Sequence, residues 1–199
     1  MIETLLDVPW EDLMRRELFL PLRMSSAGFG APPEIWGTKG DGEAVEVMDP
    51  RKPGADNPWA IAAAGGVHCS LEDAGRYMAV HLSAQRAAVL GLSPESWRRL
   101  HQVPTVGVPG SAGYAQGWIV RSGADGGDSY SLEHDGSNTW NYMRMKLLPS
   151  QGLAVVVTLN TGISAAQIAG ELSEQVLEMT FESDEPWAMD YDIEFTGHH

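Results

Sequence analysis

The chain has 199 residues, 43% of them hydrophobic and 20% charged, which is one large domain or two small ones with enough length for a real core. Thirteen Lys and Arg against 27 Asp and Glu give a net charge of −14, which argues against nucleic acid and against anionic membrane surfaces as partners. No apolar run approaches the roughly 20 residues of a membrane span, and Met1-Ile2-Glu3 lacks the basic, then apolar opening of a signal peptide. Cys69 is the only cysteine, so an internal disulfide and a Cys-based zinc site are both excluded.

The first region is helical. Ile2, Leu5 and Leu6 fit the last turns of a helix that starts without a cap, so the beginning reads as a cut through a helical pattern. Pro9 suits the first turn of a second helix, with Glu11 and Asp12 at its positive end. The spacing of Trp10, Leu13, Met14 and Leu18 predicts one buried stripe, ended by Pro21.

From Ser25 the chain is rich in Gly and Pro as far as Pro58. So long a stretch is either a linker or one wall of a site. Helices then return. Ser70 predicts a cap, with Asp73 three residues on and Leu71, Ala74, Met78 and Leu82 facing inward. Ser93-Pro94-Glu95 opens another helix, carrying Trp97 and Leu100.

The third region reads as a β-meander and a helix. Tyr114–Arg121 is a predicted strand, and Gly123-Ala124-Asp125-Gly126-Gly127 a turn. Tyr130, Leu132, His134 and Gly136 alternate with Ser131, Glu133 and Asp135. In Trp140–Leu148, Met143, Met145 and Leu147 face one way, and Tyr142, Arg144 and Lys146 the other. Leu153–Leu159 is apolar on both faces and should be covered on both. Ile168, Leu172, Val176 and Met179 predict the buried stripe of a last helix. The stretch after it carries Asp184, Glu185, Asp190, Asp192 and Glu194, a charge run expected to be solvated. The predicted organisation is one α+β domain over 1–181, helical and looped to 113, stranded with a final helix from 114, and an acidic tail over 182–199.

Few residues are arranged for chemistry. Outside the tail, His68, His81, His101 and His134 form no H-x-H or H-x-x-x-H pair, so neither a metal site nor a cofactor is expected. The glycine pairs lack the Lys and Ser/Thr of a phosphate loop, and G-x-S-x-G is absent. His134 and Asp135 are neighbours on a strand and point to opposite faces, so they cannot form two parts of a triad while the strand is regular. His134 instead ends an otherwise apolar face, just before Gly136, where backbone or ligand can come close. There it either supplies a proton or donor to a bound molecule or is a satisfied structural histidine.

The run His134-Asp135-Gly136-Ser137-Asn138-Thr139-Trp140 resembles the third motif of the serine β-lactamase and penicillin-binding-protein superfamily, in the class C and esterase branch where His-x-Gly often replaces Lys-Thr-Gly. Other stretches match that branch in order: Pro9–Met14, Leu18-Phe19 and Pro21–Gly30 its helix and following turn, Ala64–Val67 and Ser70–Asp73 its cleft-lining loop and next helix, and Tyr114–Trp118 the strand before the motif. Arg23 departs from the pattern, which usually has glycine there.

The resemblance implies an antiparallel sheet with flanking helices. It also implies acyl transfer from an ester or amide to an active serine, followed by hydrolysis. On this chain it makes His134, Gly136 and the backbone N–H of Ser137, an oxyanion donor, catalytic. Tyr114, Trp118, Asn138 and Trp140 would then line the substrate wall. The family nucleophile belongs to a Ser-x-x-Lys motif. Lys39, Lys52 and Lys146 follow Trp36, Asp49 and Met143 at that spacing, so the motif is absent, as is Tyr-x-Asn. Ser83-Ala84-Gln85-Arg86 and Ser96-Trp97-Arg98-Arg99 end in Arg, which cannot act as base.

The chain therefore resembles the C-terminal portion of such an enzyme, with the N-terminal part incomplete, and is expected to be silent alone. It would associate through its sheet with a second copy or a complementing N-terminal part. A non-catalytic binding module and an incomplete gene product are the alternatives.

Overall fold

The computed structural model describes residues 2–40, 44–103, 112–122, 129–162 and 164–182. The predicted turn at 123–127 and the acidic tail after Glu182 lie outside them.

The N-terminal helices are short. Helix α1 spans Ile2–Leu6 and α2 spans Trp10–Met14, with Pro9 as its cap rather than inside its first turn. The chain then widens into a π-turn over Arg15–Phe19. A π-turn inserts one residue into the helical repeat. This shifts the predicted stripe: Leu13 is buried, but Phe19 and Leu22 take the core positions and Leu18 packs only at their margin.

The Gly- and Pro-rich stretch is neither linker nor free loop. Strand β1 (Gly28–Phe29) pairs later in the chain, and β2 (Gly37–Lys39) and β3 (Glu46–Met48) form an antiparallel hairpin. Thr38 of β2 docks on the main sheet, its N–H shared between the carbonyls of Trp140 and Asn160. After helix α3 (Ala62–Gly65), strand β4 (Val67–His68) pairs with β1.

Helix α4 (Leu71–Leu82) starts where predicted, with the Ser70 hydroxyl accepting from the Asp73 N–H. Ala74 and Met78 are buried as expected, but Leu71, on the first turn, is exposed. Helices α5 (Ala84–Ala87) and α6 (Pro94–His101) follow, the latter capped by Ser93.

The predicted strand Tyr114–Arg121 is two strands. Strand β5 (Gly113–Tyr114) folds back on β6 (Ile119–Ser122), because Gly117 takes a positive φ and the Ala115 N–H bonds the Trp118 carbonyl. Strands β7 (Tyr130–Ser137), β8 (Tyr142–Leu148) and β9 (Leu153–Leu159) complete a five-stranded antiparallel sheet in the order β5-β6-β7-β8-β9. Helix α7 (Ala165–Glu182) returns over β8 and β9, while α4 packs on β9 and β8. Met145, Leu147, Leu132 and Trp118 join Ala74 and Met78 in the main core. On the α7 side, β8 instead carries Lys146, paired with Glu174 of that helix.

Both faces of β9 are thus covered, as its sequence demands, although its outer edge pairs with no other strand among the described residues. Helix α7 departs from its prediction. It buries Ala165, Ala169, Ser173 and Leu177, and the predicted stripe of Ile168, Leu172, Val176 and Met179 is exposed. Close packing on a sheet favours the small side chains.

Candidate active site at the end of β7

Strand β7 delivers His134, Asp135, Gly136 and Ser137 to the end of the sheet. Its alternation separates them as strand geometry requires. Asp135 turns to the α7 side, where both its oxygens accept from Arg144 at 3.0 and 3.1 Å. Arg144 also bonds Glu133, a buried carboxylate that Arg121 reaches from β6. Asp135 and Glu133 are therefore committed to an ion-pair network behind the strand, and neither serves the ring of His134.

His134 lies on the opposite side. Its Nε2 is 3.4 Å from the Tyr114 hydroxyl, at the outer limit of a hydrogen bond. Its ring meets Trp118 edge-on at a centroid distance of 6.5 Å. The bend at Ala115–Trp118 makes both contacts, because it sends Trp118 into the core and leaves Tyr114 57% exposed at the rim. Beside His134, a Cβ built on Gly136 would meet nothing within 4 Å. The backbone there borders open space on the His134 side.

Asn138 and Trp140 stand differently. The Asn138 amide donates to the Ala55 carbonyl and the Asp56 carboxylate, and its oxygen accepts from the N–H groups of Trp140 and Asn141. Trp140 is 5% exposed, with its indole N–H on the Gly54 carbonyl and Lys39 over its ring. Asn57 adds a bridge, donating to the carbonyls of Gly65 and Ser137 at 2.9 and 3.1 Å. The stretch 54–57 is thereby clamped against the turn after β7, and the Gly65-Gly66 loop is tied to the strand end. Of the seven residues singled out from sequence, the fold brings His134, Gly136, Ser137 and Tyr114 to one open strand end. Trp118 sits behind them as support, while Asn138 and Trp140 are engaged in the clamp. Sequence reasoning missed Asn57, whose only local signal is a turn-forming Asn-Pro dipeptide.

Behind Trp118 lies a pair of buried histidines. His81 Nδ1 and His101 Nε2 are 2.9 Å apart and both rings are buried. Burial pushes His81 down to about 3, with the neighbouring His101 adding to the effect, and His101 down to about 4. Both rings are neutral at pH 7. Tyr77, packed against His81, is pushed up to about 12 by burial. Among the described residues, no group of His, Cys, Asp and Glu is arranged to hold a metal ion.

The Beta-lactamase family model matches residues 1–176. The chain belongs to the β-lactamase family. Solved structures agree on the fold. The octameric penicillin-binding protein homologue from Pyrococcus abyssi superposes with a TM-score of 0.68 at 20% identity, over 89% of this chain and 40% of that one. The D-amino acid amidase from Ochrobactrum anthropi SV3, complexed with L-phenylalanine amide, gives 0.66 at 18% identity, over 92% and 54%. The D-stereospecific amidohydrolase from Streptomyces sp. gives 0.65 at 17% identity, over 90% and 50%. This β-lactamase-family chain thus spans between 40% and 54% of the length of these three structures. No curated protein matches it.

Proposed function

We propose that this chain supplies the substrate-facing wall of a serine hydrolase acting on esters or amides, and that it performs no turnover by itself. The observation that carries the reading is the end of β7. There His134 and Gly136 share one side, Tyr114 stands at the rim, and the space beside Gly136 is open. A carbonyl placed there would meet the backbone of Gly136 and Ser137, and His134 would bond it or relay its protons. Each such oxyanion donor is worth about 2.7–4 kcal/mol at the transition state, but only when a nucleophile attacks. The sequence holds no Ser-x-x-Lys, so the attacking hydroxyl and its base must come from other polypeptide. Amidohydrolases among the structural neighbours support an ester or amide as the substrate class.

Two measurements test this. The purified chain is mixed with p-nitrophenyl acetate and with a chromogenic β-lactam, and no turnover above background is expected. Serine-dependent turnover abolished by His134→Ala would overturn the proposal. The intact amide phenylacetamide is then titrated into labelled chain. Saturable shifts at His134, Gly136 and Ser137 are expected, and shifts confined to other residues would count against the wall. Binding without chemistry is the second reading, favoured by the same open space in a chain without the nucleophile motif.

A further inference from the structure

Asn57 reaches the candidate site from a loop that Asn138 and Trp140 hold in place. Its side-chain nitrogen lies 2.9 Å from the Gly65 carbonyl and 3.1 Å from the Ser137 carbonyl. Both neighbours are acceptors, so the amide nitrogen and not its oxygen faces them, and its two N–H bonds have one acceptor each. Gly65 makes this approach possible. A Cβ built on it would stand 2.8 Å from the Asn57 nitrogen, too close for the amide to stay where it is.

The carbonyl that Asn57 holds belongs to the residue whose N–H the proposed function uses. In the hairpin of β7 and β8, the Asn138 N–H bonds the Asn141 carbonyl at 3.3 Å. Bonded and non-bonded pairs alternate along an antiparallel ladder, so the next pair, Ser137 with Tyr142, is a non-bonded one. The N–H and the carbonyl of Ser137 therefore both leave β7 on the side away from β8. This is the side of β6, which pairs with β7 from Tyr130 to Glu133 and so stops four residues short of Ser137. A ligand lying along that edge like one more strand would offer a carbonyl to the Ser137 N–H and an N–H to the Ser137 carbonyl. Asn57 already stands in the second of these positions.

We propose that Asn57 is a specificity-determining residue. By donating to the Ser137 carbonyl it takes the acceptor that an N–H on the α-carbon of an acyl group would need. The wall then reads the acyl carbonyl and gains nothing from an N–H beside it. The substrate class narrows to simple acyl esters and amides held by their carbonyl, and an N-acylated, peptide-like acyl group has no advantage over one without the N–H. This deepens the reading of the chain as a substrate-facing wall and rests on it. Asn57 acts by occupying an acceptor and touches no reacting atom.

Two probes that differ in one group test it on the full, isotope-labelled chain. One is N-acetylphenylalanine methyl ester, and the other is the same molecule with an oxygen in place of its N–H. Both enantiomers of each are titrated, and the shifts of the Gly136 and Ser137 amides give the affinities. The unaltered chain should bind the two probes equally, within about twofold. Asn57→Ala frees the Ser137 carbonyl, and the N–H probe should then bind about fivefold more tightly than the oxygen probe, the worth of one net hydrogen bond. Gly65→Ala reaches the same end without touching Asn57, because the added Cβ displaces the end of a flexible side chain and costs the fold little. The same preference should appear there. A several-fold preference for the N–H probe in the unaltered chain overturns the proposal, and that reading needs no variant to fold. So does an equal affinity for both probes in both variants. If neither probe gives saturable shifts at Gly136 and Ser137 in any of the three proteins, the wall itself is refuted, and the role of Asn57 with it.

Discussion

Thr139 sits in the turn after β7 with a φ of +79°. A β-branched residue in this left-handed region is strained, and glycine is not. Its carbonyl also lies against the Cα of Gly162, where an added Cβ would overlap it. Thr139→Gly should raise stability by about 1 kcal/mol, and Gly162→Ala should lower it by about 2–4 kcal/mol, both read from urea melts. Arg23 also takes a left-handed φ, +55°, a region that glycine enters at no steric cost.

The buried histidine pair sets a pH dependence. Folded His81 and His101 titrate well below the ordinary 6.5, so the unfolded chain binds more protons between these limits. Their contribution is complete above about pH 6.5 and is lost as the pH falls toward 4. Between pH 6.5 and 5 the chain should lose about 1–2 kcal/mol per histidine, and His81→Gln with His101→Gln should flatten that slope in denaturant titrations.

At the scale of elements, two constructions hold the strand end that carries the candidate site. In front, the Asn138 amide joins the turn after β7 to residues 55 and 56 and gathers two backbone N–H groups. Asn138→Ala leaves those groups without their partner, and a drop of about 2–4 kcal/mol in unfolding free energy is expected by chemical denaturation. Behind, Glu133 joins β6 to β8 through Arg121 and Arg144. Glu133→Ala strands a mostly buried guanidinium. Its cost should fall near the low end of about 3–5 kcal/mol, because Asp135 still holds Arg144. Calorimetry on this variant separates such a loss from the small effect of an exposed ion pair.

For the whole molecule, the sheet is a scaffold that brings the candidate site to one end. That end gathers His134, Gly136, Ser137 and Tyr114. Among the described residues the outer edge of β9 pairs with no other strand, and Ile168, Leu172, Val176 and Met179 of α7 are exposed. Catalytic silence is a prediction at this scale, because it concerns what the rest of the fold must supply. The net charge of −14 belongs here too, since it sets like copies against one another.

Local pattern alone fixed much of this chain. Period two in Tyr130–Gly136 and Met143–Leu147 gave strands and faces correctly, Ser70 and Ser93 marked two helix starts, and the His-x-Gly run pointed to the strand end. The lack of Ser-x-x-Lys is also a property of sequence. Tertiary structure decided what depends on neighbours distant in the chain. The sheet selected the small side chains of α7 for burial and turned its larger apolar residues outward. A π-turn moved the core from Leu18 to Phe19, and a glycine with positive φ made two strands of one. Asn138 and Trp140 were drawn into a clamp because their partners, Gly54, Ala55 and Asp56, lie more than eighty residues away along the chain. Periodicity reports which side of an element is apolar, but only packing decides which apolar side meets the core.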